Sequence, residues 1–237
     1  MNCPGCSAAM TPLALEARLG TPIEFSPAIE IDLCSICRAI WFDRFQELQL
    51  TPGATLKVFG VISEPVGRPT TLFPTALHCP HCNARLLRTH DMQRSTPFQY
   101  WRCDNGHGRL ITFVDFLREK DFVRPLTPQQ LEELRQSIQT INCSNCGAAI
   151  NLVKDSVCAH CGSAVSMLDP QQMARTVAQL QAAASGRQAA GGSLPSAAPH
   201  APSDIEALVQ LFKTAGRTDS PPGLIETGLG LLGRLLR

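Results

Sequence analysis

The sequence predicts a small, metal-stabilised α+β fold, and three observations carry that expectation. First, ten of the eleven cysteines stand in five C-x-x-C pairs. Two of these pairs, Cys143-Ser-Asn-Cys146 and Cys158-Ala-His-Cys161, are spaced so that they can face each other and place four thiolates at the corners of a tetrahedron. Zn²⁺ takes that arrangement in a closed structural site. Second, the chain is 44% hydrophobic but only 5% aromatic, with its Ala and Leu spread between cysteine clusters rather than gathered into one core. Units of roughly 30–40 residues seldom fold without a metal or disulfides, and a structural zinc contributes on the order of 10–16 kcal/mol. Third, the apolar residues between clusters alternate in some stretches and follow helical stripes in others. The expected architecture is three short antiparallel zinc ribbons joined by helices, with a tethered helical C-terminal tail.

The first unit spans 1–50. Its ligands are Cys3 and Cys6, in Cys3-Pro-Gly-Cys6, and Cys34 and Cys37, in Cys34-Ser-Ile-Cys37. Gly20 and Pro22 signal a turn between them, and Ile29-Glu-Ile-Asp-Leu33 alternates apolar and charged residues as a half-buried strand does. That strand delivers Cys34 to the metal, and Trp41 reads as a packing residue that caps the small core. The opening C-P-x-C, the run I-x-x-C-x-x-C, the aromatic pair Trp41-Phe42 with Asp43, and Glu47-Leu48 resemble the transcription factor IIB-type zinc ribbons of bacterial proteins. The resemblance covers 1–50 and implies metal-ligand roles for Cys3, Cys6, Cys34 and Cys37. The chain departs from the family pattern at Ser35, Arg38 and Ala39, where Pro or Gly is usual. A ribbon shape does not by itself imply a role in transcription.

Residues 51–77 are rich in Pro and Gly and read as a linker, with one strand over the apolar patch Val58 to Ile62. The second ribbon, 78–126, holds three cysteines, Cys79, Cys82 and Cys103, so its fourth ligand is expected to be a histidine. His107 follows Cys103 in a Gly-bracketed turn that lets its ring reach the site. His78 adjoins Cys79 and His81 lies inside the turn, so both are poorly aimed, and His90 belongs to a strand-like run. Arg85 to His90, Phe98 to Arg102 and Gly108 to Phe113 read as three strands. This unit also interleaves Arg85, Arg88, Arg94, Arg102 and Arg109 with Phe98, Tyr100 and Trp101, a composition that single-stranded nucleic-acid binders use. The simpler expectation is a short sheet with aromatics on its core face and arginines solvated, because Asp91, Asp104 and Asp115 dilute the charge.

A connecting helix is expected over 127–142: Thr127 as N-cap, Pro128 in the first position, Gln130 completing a capping box, and a stripe of Leu131, Leu134, Ile138 and Ile141. It leads into the third ribbon, 143–168, where Gly147 and Gly162 fit turns that need positive φ and the segment 148–157 forms one short hairpin between the cysteine pairs. Asp169 repeats the start signal for a helix over 169–185, striped by Met173, Val177, Leu180 and Ala184. Residues 186–202 are Ala, Gly, Ser and Pro and read as a flexible linker. The C-terminal amphipathic helices, 203–237, carry Ile205, Leu208, Val209, Phe212, Leu229, Leu232 and Leu236. Their face is expected to dock on protein, with a membrane surface as the second option through 224–237.

Function is bounded by elimination. Eleven cysteines and His107 divide into three tetrahedra, so three zinc ions are expected and no thiol is left over for a nucleophile. Iron in the four-cysteine sites is an alternative that spacing alone leaves open. Full ligation leaves no open coordination position for catalysis, and the chain carries no G-x-S-x-G, H-E-x-x-H or P-loop motif. No enzyme and no small-molecule substrate are expected. The C-x-x-C pairs, with no secretory signal before Cys3, read as reduced thiols of a cytoplasmic protein. A formal net charge of +1 gives no global drive toward nucleic acid. The leading expectation is an interaction scaffold for protein partners. A nucleic-acid or transcription-associated role through Arg85, Arg88, Arg102, Arg109, Tyr100 and Trp101 stands second, and a membrane-surface adaptor third.

Overall fold

A strand that is apolar on both faces cannot stand at the edge of a sheet without exposing its backbone and one row of side chains. Two such strands, one from each of the first two units, resolve this by pairing with each other. The computed structural model describes residues 1–17, 28–63, 74, 76–93, 96–185, 224, 225, 229 and 236. The first unit contributes β1 (Thr11–Glu16), β2 (Ala28–Cys34) and β3 (Ala39–Asp43), and the second contributes β4 (Leu87–Gln93), β5 (Thr96–Arg102) and β6 (Gly108–Thr112). They form one six-stranded antiparallel sheet in the order β1-β2-β3-β6-β5-β4. Two units expected to be separate are therefore halves of one sheet. The joint sets Ile40 opposite Ile111 and Trp41 opposite Leu110.

Alternation along the joint gives the sheet two different faces. Ile40, Phe42 and Ile111 enter a core shared with the helices, whereas Ala39, Trp41 and Leu110 enter a cluster with the cysteines. This is why β3 is buried at four consecutive positions, Ala39 to Phe42, rather than at every second one. Gly108 lies where the halves cross. Its φ is +148°, and a Cβ there would sit 2.2 Å from the Phe42 carbonyl oxygen, so no other residue fits without moving β3.

The helix-side face is covered by α1 (Pro52–Ser63), α2 (Phe113–Glu119) and α4 (Pro170–Ala184). Helix α1 corrects the reading of 51–77 as a linker with a strand. Thr51 and Pro52 give the same start signal as Thr127-Pro128, with the Ala54 N–H donating to Thr51 Oγ1 at 3.0 Å. Ala54, Val58, Phe59 and Ile62 are buried at helical spacing. Gly53 and Gly60 interrupt the composition but not the stripe, and Phe59 packs edge-on against Phe122 with ring centroids 4.3 Å apart. Helix α2 begins where a third strand was expected to end. Thr112 caps it by accepting from the Asp115 N–H at 3.0 Å, so the chain turns inward and buries Phe113, Phe116 and Leu117.

The third unit follows α3 (Pro128–Ser137), which has the expected capping box between Thr127 and Gln130. The helix stops at Ser137, short of 142, because the chain must become extended to bring Cys143 to its cluster. Ile138 takes φ −139°, and Ile141 lies in β8 (Thr140–Asn142), still within the same apolar cluster. Strand β8 pairs with β9 (Ala149–Asn151). The hairpin therefore wraps around the first cysteine pair instead of lying between the two pairs as expected. The unit's last strand, β10 (Ser166–Leu168), pairs with β7 (Val123–Pro125) from the segment assigned to the second unit. Asp169 caps α4 as expected, accepting from the Gln172 N–H at 2.9 Å, and Met173 and Val177 are fully buried, Leu180 partly. Ala184 is exposed. Residues 186–223 and most of the tail, including Ile205, Leu208, Val209, Phe212 and Leu232, lie outside the described residues.

Candidate metal centres

One local geometry recurs at four of the five C-x-x-C pairs. The first cysteine's N–H donates to the carbonyl five residues on, and the residue after the second cysteine donates back to the first cysteine's carbonyl. These bonds link Cys3 with Ala8 and Ser7, Cys79 with Ala84 and Asn83, Cys143 with Ala148 and Gly147, and Cys158 with Ser163 and Gly162, at 2.7–2.9 Å. The residue after each second cysteine has positive φ: Ser7 60°, Asn83 58°, Gly147 79° and Gly162 74°. The turn folds the chain so tightly that both sulfurs point to one side. Glycine takes that backbone freely, whereas Ser7 and Asn83 adopt it at some cost. Arg38, after the fifth pair, also has positive φ, at 52°.

The turns bring twelve side chains into three groups: Cys3, Cys6, Cys34, Cys37; Cys79, Cys82, Cys103, His107; and Cys143, Cys146, Cys158, Cys161. Within each, the ligand atoms lie within 4.8 Å of one another. Cys6 and Cys34 sulfurs are 3.6 Å apart, Cys82 and Cys103 3.6 Å, Cys146 and Cys158 3.6 Å, and Cys143 and Cys161 3.7 Å. A tetrahedral cation with ~2.3 Å bonds to sulfur separates its ligands by about 3.8 Å, while a disulfide needs ~2.05 Å. All eleven cysteines are free thiols. Every cysteine picked out by spacing is thus placed in a group that fits a metal ion.

His107 completes the second group through Nδ1, 3.5 Å from the Cys103 sulfur and 3.8 Å from that of Cys79. The other histidines have different placements. His81 Nε2 donates to Asp43 Oδ1 at 2.8 Å, an oxygen that also accepts from Trp41 Nε1 at 2.8 Å. The His81 ring lies 5.9 Å from Trp41 and 5.8 Å from His107, so it packs beside the centre without entering it. The His78 backbone forms an isolated antiparallel bridge with that of Arg85, and His90 is exposed on β4.

As bare thiols the four groups of a cluster cannot all ionise together. In the first, the hydrogen bond from Cys3 draws Cys34 down to about 2, and the same bond holds Cys3 up to about 12. In the second, burial lifts Cys79 to about 11, while the Ala84 N–H and Asn105 amide lower Cys82 to about 6. In the third, Cys143 draws Cys158 down to about 6. Cys143 itself is raised strongly, first by Cys146. A divalent cation at each centre would replace the remaining protons with a compensating charge. Amide donors already face the sulfurs, with Gly5 N–H on Cys3, Cys37 N–H on Cys34 and Asn105 Nδ2 on Cys82 at 3.3–3.4 Å.

Sequence reasoning missed the polar network that holds the third cluster to the sheet. Asp115 and Arg118, on α2, form a buried ion pair at 3.0 Å with side chains 0% and 6% exposed. Asn145, between Cys143 and Cys146, donates to Asp115 Oδ2 at 3.1 Å and to Ser163 Oγ at 2.9 Å. Thr112 Oγ1 lies 2.6 Å from Asn145 Oδ1, and Arg118 reaches Ser163, the Ala164 carbonyl and Ser166. One helix thus grips both cysteine turns of the third unit. Burial raises the Asp115 carboxyl above its ordinary range, and Arg118 is the main opposing influence. The legible signals were weak: a Thr112-x-x-Asp115 start and an Asn inside a C-x-x-C.

Of the arginines singled out in the second unit, Arg88, Arg102 and Arg109 have internal partners, and Arg94 lies outside the described residues. Arg88 donates to Gln99 Oε1 and to the Cys161 carbonyl. Arg109 pairs with Glu119 at 3.0 Å and Glu47 at 3.8 Å and lies over the Tyr100 ring at 5.0 Å. Arg102 pairs with Asp104 at 3.2 Å. Trp101 is half-buried in the cluster around the first two centres.

Three four-donor clusters on an α+β frame of antiparallel sheets define a candidate metal-binding protein. Comparison with family models, with curated proteins and with solved structures gave no match. Among the described residues, no helix is long and apolar enough to cross a membrane.

Proposed function

We propose that the protein is a non-enzymatic scaffold that binds three zinc ions and presents its ordered surface to a protein partner in the cytoplasm. The grouping of all twelve predicted ligands into three clusters of four carries this reading. Four donors saturate tetrahedral zinc, whereas a catalytic zinc keeps a position open for water or substrate. Each ion would serve as a fold-holding crosslink, and the first unit's likeness to transcription factor IIB-type ribbons is consistent with that role.

Nucleic-acid binding is the second reading, and the commitments of Arg88, Arg102 and Arg109 count against it. Each would have to leave a carbonyl, amide or carboxylate to reach a phosphate. The deciding experiment titrates salt against binding of the zinc-loaded full chain to single-stranded RNA and DNA, with affinity capture of protein partners under the same conditions. Protein retention that is insensitive to salt, without nucleic-acid binding, is the expected result. Nucleic-acid affinity falling steeply with salt would reverse the ranking, because phosphate contacts release counterions. Capture by the intact chain, compared with one ending at residue 186, separates the platform from the tail as the docking element.

A further inference from the structure

The third unit carries more than a metal cluster. Leu224 and Ile225 are helical and 1% and 0% exposed, and Leu229 is 6% exposed. They enter two different cores. Leu224 joins Leu131, Leu134, Ile141 and Ile150 in the third unit's cluster, whereas Ile225 and Leu229 join the core beneath the six-stranded sheet. The Ile225 N–H donates to Ser144 Oγ at 3.2 Å, and Ser144 lies between the ligands Cys143 and Cys146. The void left along this contact, walled by Arg118, Asn145, Val165 and Ser166, is about 10 Å³, room for a single water at most.

From this packing we propose that the third unit forms a peptide-binding groove whose resident ligand is the chain's own C-terminal segment, gripped at Leu224, Ile225 and Leu229 and held in cis. The ligand class is a short apolar helix with adjacent branched side chains and a leucine one turn on. Leu224 and Ile225 straddle the seam between the two cores, so the segment fastens the third unit to the sheet beside the α2 network. Tethering by 186–223 sets the occupancy. A tethered segment works at an effective concentration on the order of 1 mM, so a groove that takes free peptide at ~10 μM would be masked about 100-fold. The proposal goes beyond the scaffold reading and does not need it, because the tail would dock whether or not any partner exists.

The test uses the metal-loaded full chain and a labelled synthetic peptide of residues 221–237. In the wild type, the amides of 224–229 are expected to exchange slowly and the peptide to bind poorly. In L224D/I225D those amides should exchange freely while β3 and β6 stay protected, and the peptide should bind at least tenfold more tightly than to wild type. If the acidic pair also unprotects β3 and β6, L224A/I225A gives the same readout with a milder change. Rapid exchange at 224–229 in wild type, or equal peptide affinity in wild type and variants, would overturn the proposal. Doubled mass with tail protection that rises with protein concentration would overturn it too, by placing the segment on a second copy.

Discussion

The first and second metal units are joined to each other differently from the way the third is joined to both. The first two share backbone hydrogen bonds across β3 and β6 and one apolar cluster centred on Trp41, which packs beside cysteines of both centres. The third meets them through only the short β7–β10 pair and a set of side chains: Asp115, Arg118, Thr112 and Arg88 on one side and Asn145, Ser163, Ser166 and the Cys161 carbonyl on the other. Apolar fusion is non-directional and grows with buried area. A buried polar network adds little net stability, but each member left alone costs the full desolvation of its group. The pair at the N-terminal end should therefore lose order together. The third unit should detach by itself, and abruptly, when one polar partner is removed.

The largest expected effect comes from the ions, since each contributes on the order of 10–16 kcal/mol to its unit. Elemental analysis of the reduced protein should return three zinc ions, two in H107A and three in H81A. Equal content in wild type and H107A would assign the fourth ligand elsewhere. Acid should release the ions. Cys3 and Cys79, held up at about 12 and 11 as thiols, are deprotonated at neutral pH only while bound. Retention is therefore complete near neutrality and lost as pH falls, which a metal-release titration reads directly.

Next is W41A, which empties a fully buried site and should cost about 3–5 kcal/mol. Chelator should then strip the first and second ions together, at lower concentration than in wild type, with the third ion unaffected. Sequential loss of the first two would show that the shared cluster does not couple them.

D115A should cost about 3 kcal/mol by leaving Arg118 charged and unpaired. Hydrogen exchange should rise across 140–168 and stay unchanged in β3 and β6. The double variant D115L/R118L should recover much of that loss. If the single and double variants proved equal, the ion pair would not be what fixes the third unit.

The smallest effect contrasts the turns. G147A should destabilise the third unit by roughly 1–2 kcal/mol, because alanine is strained at positive φ. S7G should change the first unit by less than about 1 kcal/mol, since relief at φ 60° is offset by added freedom in the unfolded chain. Thermal unfolding of both variants with metal bound compares them.

Sequence alone determined what depends on near neighbours. The C-x-x-C turns, the caps at Thr127 and Asp169 and the choice of His107 were legible because a tight turn, a capping box or a ligand spacing is complete within a few residues. Tertiary structure decided what depends on which surfaces meet. Nothing in Ala39–Asp43 or Gly108–Thr112 says that the two strands pair, because each reads equally well as the last strand of its own ribbon. Helix α1 was hidden by Gly53 and Gly60 until the sheet face that buries Val58, Phe59 and Ile62 was in place. Asp115, Arg118 and Asn145 read as ordinary polar residues until the fold buried them against each other, and only in that dry setting does each need the others.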